Sequence, residues 1–148
     1  MIVTLSPSEG MFAANVGVAR RIASLKRKLP NTSISPYLWE NDINGAIAEY
    51  AFCKAMGLFW NTTVNVGGIE DAYGYHVKST AHKNGHLLIK QDSPEGRYVL
   101  VTVNELNCTI VGWMHSSEAM IDAYYRNEDP SKLSWWIPQS ALRPMSEA

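Results

Sequence analysis

The apolar pattern of this chain changes period once, near residue 61, and that change limits the folds open to it. Before it the spacing is helical; after it apolar residues alternate or come in short runs. Ser6-Pro7-Ser8-Glu9 predicts a helix start, with Ser6 as cap, Pro7 in the first helical position and Glu9 closing a capping box. Val18, Ile22, Leu25 and Leu29 then share one stripe of a helix over about 7–28, which Leu29-Pro30-Asn31 ends. A second helix is predicted over about 40–56, with Gly57 as its stop. It is apolar nearly all round, as a helix buried on more than one side would be.

Beyond residue 61 the segments 62–66, 75–80, 86–91, 98–103 and 109–114 read as strands. The run Tyr98-Val99-Leu100-Val101-Thr102-Val103 is apolar on both faces and belongs in the middle of a sheet. Asn84-Gly85 predicts a hairpin between the second and third of these strands. Ser116 or Ser117 caps a short helix through about Tyr125, and Trp135-Trp136-Ile137-Pro138 reads as a docked extended segment. The sum is a single α/β (α+β) domain, a mixed β-sheet flanked by helices, with its core over about 40–125 and an extended tail over about 130–148.

At 148 residues the chain has room for one core. Thirteen Lys and Arg against fourteen Asp and Glu give a formal net charge of -1, which disfavours nucleic-acid binding through bulk positive charge and leaves a local basic patch open. The cations of the first helix are candidates for such a patch, Arg20 and Arg27 opposite the apolar stripe with Arg21, Lys26 and Lys28 on its flanks. Two cysteines make no disulfide framework, no run reaches membrane-spanning length, and no signal peptide is read; the expectation is a cytoplasmic protein with no membrane partner.

The chemistry is concentrated in two places. Glu49 sits in the middle of the apolar second helix, and its neighbours three and four residues away (Gly45, Ala46, Phe52, Cys53) include no cation. A carboxylate there is costly unless something outside the helix uses it, and the plainest user is a hydrogen bond from a Trp or Tyr. Asp71 stands in a turn-rich stretch before the strand Tyr75-His76-Val77-Lys78-Ser79-Thr80, which sets His76, Lys78 and Thr80 on the face opposite Tyr75 and Val77. Carboxylates hold a hard divalent cation, such a cation activates water and neutralises charge on a phosphate, and a lysine stabilises the developing negative charge.

On these residues the chain resembles the PD-(D/E)XK nuclease superfamily, with its restriction-endonuclease-like core, over about 40–103. Glu49 matches the glutamate of the leading helix, Asp71 the aspartate before the strand, and Lys78 the strand lysine. More loosely, the whole chain is similar to short phage-encoded proteins with an Asn-Gly turn and a later Gly-Trp pair, here Gly112-Trp113. The resemblance implies a metal-dependent endo- or exodeoxyribonuclease with Lys78, Asp71 and Glu49 catalytic and Asp71, His76 and Glu49 around Mg or Mn. His76 stands where the superfamily has Glu or Asp, and a neutral imidazole favours Mn. Glu70 is a reserve ligand. DNA is the implied partner, with Arg20, Arg27, Lys83, Lys90 and Gln91 as candidate contacts; a homodimer is left open. The reading from a different class is a non-catalytic protein that keeps the fold and binds DNA or a host protein as a phage accessory factor. His82 and His86 lie across a turn from each other without a cysteine pair, a weak zinc pattern, and Trp135-Trp136 either anchors the tail or stacks on bases.

Overall fold

The computed structural model describes residues 1–27, 36–64, 70–128 and 133–148. Lys28, the predicted helix stop at 29–31, and residues 65–66 of the first predicted strand fall outside them. In order the chain forms β1 (Ile2–Thr4), α1 (Pro7–Lys26), α2 (Leu38–Met56), β2 (Tyr75–Thr80), β3 (Leu87–Lys90), β4 (Arg97–Asn104), β5 (Asn107–His115), α3 (Ser116–Ala119), β6 (Tyr125–Arg126) and β7 (Ser134–Ile137). It is a single mixed α+β domain with two sheets. One has the order β1-β5-β4-β2 and the other β3-β7-β6. β4 is parallel to β2 and antiparallel to β5, so the larger sheet is mixed. No helix of the described residues is long and apolar enough to cross a membrane.

The larger sheet is covered differently on its two faces. On one side α2 packs Ala46, Ile47, Ala51 and Phe52 against Tyr75, Val77, Val99, Val101, Ile110 and Trp113. On the other, Leu87, Ile89 and Ile137 of the smaller sheet meet Tyr98, Leu100 and Met114. β4 therefore contributes to two cores, as its two-sided apolar run predicts. The expected arrangement of helices on the flanks holds fully on one face; on the other the smaller sheet is the main cover and α3 adds Ala119. The helix predicted from Ser116 stops at Ala119, because Met120 leaves the helical region (ψ 55°) and Ile121 is extended (ψ 159°), which leads the chain into β6.

The Asn84-Gly85 turn does not close a hairpin. β2 pairs with β4, whereas β3 pairs with β7 in the other sheet. Leu87 and Ile89 are fully buried against the Tyr98 face, so β3 has to leave the plane of β2 to reach it. The side-chain amide of Gln139 holds the turn by donating to the carbonyls of Lys83 and Gly85. The predicted strand at 62–66 is likewise absent from its described part; only Trp60 makes an isolated bridge, to Ala72.

The start of α1 follows its sequence closely: Ser6 caps, Glu9 returns the capping box and Pro7 lies in the first turn. Its buried face is not the predicted one. Ile22 and Leu25 are exposed, and the residues that turn inward are Gly10, Ala13 and Gly17. Helical periodicity was read from the large apolar residues, but close helix crossing selects small ones. A Cβ built on Gly17 would lie 2.6 Å from both Asp42 O and Ile43 Cα, backbone atoms of α2 that no side-chain rotation can move. Gly17→Ala is therefore expected to lower the urea unfolding free energy by about 1–3 kcal/mol despite its better helix propensity, and Gly17→Val by more.

Cys53 and Cys108 are buried, unbonded to each other, and burial pushes their thiols up to about 12 and about 11. They serve as small apolar residues of the core.

Candidate active site

The close approach of α1 and α2 decides what becomes of Glu49. Arg20 lies three residues beyond Gly17 on the same inward stripe, which brings its guanidinium onto the buried carboxylate. Nη1 donates to Oε1 at 2.7 Å and Nη2 to Oε2 at 2.8 Å, a bidentate pair. Trp60 Nε1 adds a third donor at 2.9 Å, and Arg20 Nε reaches the carbonyl of Thr63 at 3.1 Å. The expected Trp hydrogen bond to Glu49 is thus present, together with an ion pair. Burial works against the Arg20 charge, yet Glu49, with Asp71 and Asp42 behind it, holds the guanidinium above its ordinary value.

Arg20 is in this respect corrected from the phosphate-facing role read for it: its side chain keeps 18% exposure and its donors point into the protein. Arg21 also turns toward α2, pairing with Asp42 at 2.5 Å. The signal for Arg20 was available in Gly10-Ala13-Gly17-Arg20, a small-residue stripe at helical spacing that ends in a cation.

Asp71 sits beside β2, the edge strand of the larger sheet among the described residues. Its Oδ2 accepts the backbone N–H of Val77 at 2.7 Å, satisfying a donor that faces this free edge. Burial, and then the nearby charge of Glu49, push the Asp71 carboxyl up to about 6, against the opposing pull of the Val77 N–H, Lys78 and Arg20. Asp71 thus interacts with Glu49 on the α2 side of the sheet and with Lys78, whose strand position faces the smaller sheet.

His76 and Lys78 share the face of Tyr98, as the strand alternation predicts. The His76 ring stacks on Tyr98 at 4.8 Å between centroids, and Lys78 Nζ lies 5.7 Å from the same ring centroid. Burial, then Lys78, lower the His76 pKa, while Glu70 opposes them, so His76 is held toward the neutral imidazole. Burial pushes the Tyr98 phenol up, against a hydrogen bond with Ser93 and with a smaller contribution from the Asp71 charge. Glu70, the reserve ligand, accepts the backbone N–H of Gly74 at 2.7 Å.

The remaining candidate contacts are dispersed. Arg27 is exposed at the end of α1, where its backbone N–H closes the helix on Ala23. Lys83, Lys90 and Gln91 are exposed around β3. No group of three or more His, Cys, Asp and Glu is gathered as a metal cage among the described residues. The donor chemistry fits a divalent cation in part. Asp71 offers a hard carboxylate oxygen, but Glu49 has both oxygens engaged by Arg20 and Trp60, and the His76 ring is stacked on Tyr98.

No protein-family model, no curated protein and no solved structure matches the chain.

Proposed function

We propose that this protein is a divalent-metal-dependent DNA nuclease with a restriction-endonuclease-like core, of a kind found in phages, whose reacting site is centred on Asp71 and Lys78. The observation that carries the reading is the placement of Asp71: a half-buried carboxylate that accepts the Val77 N–H at 2.7 Å on the strand that carries His76 and Lys78, with burial and the Glu49 charge pushing its carboxyl up to about 6. Perturbed carboxylates of this kind collect at functional sites. A cation would be held by Asp71, with Glu49 completing the acidic pair and His76 as a nitrogen donor if its ring leaves Tyr98. When bound it supplies charge neutralisation at a phosphate and an acidified water. Lys78 stabilises the negative charge that builds on the phosphate oxygens. Arg20 fixes the Glu49 carboxylate in place, and the Val77 N–H does the same for Asp71.

The test is plasmid cleavage with Mg and with Mn. Wild type is expected to cut better with Mn, because one hard, charged ligand position is a neutral imidazole. His76→Glu is expected to raise the Mg-dependent rate. Lys78→Ala is expected to lose at least a hundredfold in rate with its circular dichroism unchanged. If all three proteins fold and none cleaves DNA, the nuclease reading fails.

One observation favours a second reading. Arg20 already neutralises Glu49, as a cation would, and a nuclease fold that has replaced its metal by a guanidinium is a binding protein for DNA or a host protein. Calorimetry with Mn separates the two: binding lost in Asp71→Asn supports the nuclease, and no binding by the folded wild type supports the accessory protein.

A further inference from the structure

The two adjacent tryptophans have opposite fates. In the smaller sheet β7 lies between β3 and β6, with Leu87 opposite Ile137, Ile89 opposite Trp135, and Leu88 opposite Trp136. Leu87, Ile89 and Ile137 are fully buried, and Trp135 packs against the same core. Alternation then sends Trp136, Leu88, Lys90, Ser134 and Arg126 to the outward face. Trp136 keeps 38% of its surface exposed in the middle strand of that face.

Its indole is oriented by a hydrogen bond and flanked by a cation and an imidazole. Nε1 donates to Ser134 Oγ at 2.9 Å, the Arg126 guanidinium lies 5.3 Å from the ring centroid, and the His86 ring is 6.2 Å away. The segment 81–91, which forms the preceding turn and β3, contains His82, Lys83, His86 and Lys90 and no acidic residue, in a chain of net charge -1. Glu128, paired with Arg126 at 3.3 Å in an exposed contact, is the acid recorded at the cation beside the indole. An exposed aromatic ring next to Arg126, on a face that also carries Lys90, suits a polyanion whose ring faces are free. A duplex hides its base faces in the stack, whereas a single strand presents them.

We propose that the outward face of the three-stranded sheet is a stacking platform for single-stranded nucleic acid, taking a base on the Trp136 indole and backbone phosphates on Arg126, Lys90 and Lys83. The inference shares Lys83 and Lys90 with the DNA contacts that the nuclease resemblance implies but none of its reacting residues, and it rests on a different measurement, binding in the absence of metal.

The experiment is fluorescence anisotropy of the full chain with a labelled twelve-nucleotide dT strand, in EDTA so that no cleavage intervenes, over a series of salt concentrations. The wild type is expected to bind the strand at least tenfold more tightly than a duplex of equal length. Trp136→Ala should weaken binding at least tenfold, while Trp136→Phe, which keeps an aromatic face, stays within a few fold of wild type. Arg126→Ala with Lys90→Ala should flatten the log–log salt slope by about 1.4, two phosphate contacts' worth on a single strand. A matching oligo-U strand tells the two single-stranded sources apart: preference for either names the source, and parity marks a platform that reads bases by stacking alone. If Trp136→Ala does not fold, the exposed pair Arg126→Glu and Lys90→Glu decides, with a tenfold loss supporting the platform. No binding at low salt, equal affinity for duplex, or unchanged affinity in the Trp136→Ala or charge-reversed protein overturns it.

Discussion

Asp71→Asn is expected to make the protein more stable at pH 8 while removing any cleavage activity. In the folded protein the Asp71 carboxyl titrates near 6, against 3.8 for an ordinary aspartate, because burial and the Glu49 charge both disfavour its ionised form. Between those two values the folded state binds the extra proton, so stability falls as pH rises through the interval and the penalty is complete above about pH 7. A difference of about two pKa units corresponds to about 3 kcal/mol. Asparagine keeps an acceptor for the Val77 N–H and carries no charge. The unfolding free energy of Asp71→Asn minus that of wild type should therefore be largest at pH 8 and shrink by about 2.4 kcal/mol on going to pH 4. Taking the difference cancels the groups common to both proteins, Glu9 among them, whose carboxyl Lys54 and the Ser6 backbone hold down at about 2. A difference independent of pH would mean that Asp71 is adequately neutralised, and the case for a site there would lose its basis. Stability gained by removing a group at the cost of activity is the usual mark of a functional residue.

How far the sequence carried depends on whether a feature is local. Cap chemistry is local, and the Ser6–Glu9 box and the Gly57 stop stand where they were read. Strand alternation is local too: β2 spans Tyr75–Thr80 as predicted, with His76 and Lys78 on one face. Pairing partners are not local. Asn84-Gly85 has good hairpin chemistry, yet the burial of Leu87 and Ile89 against Tyr98 outweighs it and sends β3 into another sheet. The inward face of α1 is not local either: large apolar residues predict one stripe, while the crossing with α2 needs glycine and alanine on another. The contact of most consequence at the site depends on that face. The sequence shows Glu49 as a carboxylate in need of an outside partner and offers a Trp or Tyr for it, but it sets Arg20 on an outward, phosphate-contacting stripe, where the pair with Glu49 is not visible.

That contact makes Arg20 the other position of large expected effect. Arg20→Met removes the cation and leaves Glu49 buried with the Trp60 N–H as its remaining partner among the hydrogen bonds described. Breaking a buried ion pair from one side costs about 3–5 kcal/mol, and since Arg20 retains some exposure the lower end, about 3 kcal/mol, is expected. The double variant Arg20→Met with Glu49→Gln should recover most of the loss, because a neutral amide still accepts from Trp60 and no charge is left unpaired. The measurement that matters is the effect of Mn on the single variant. If Asp71 and Glu49 form the acidic half of a metal site, taking away the guanidinium leaves two carboxylates whose charge a divalent cation can offset. Mn should then restore part of the lost stability, in proportion to the logarithm of its concentration once above Kd, and do little for the double variant. If Arg20 has taken the place of a metal for good, Mn will leave the unfolding midpoint of wild type and Arg20→Met alike unchanged, and the chain is a binding protein that has kept the acidic pair as part of its core.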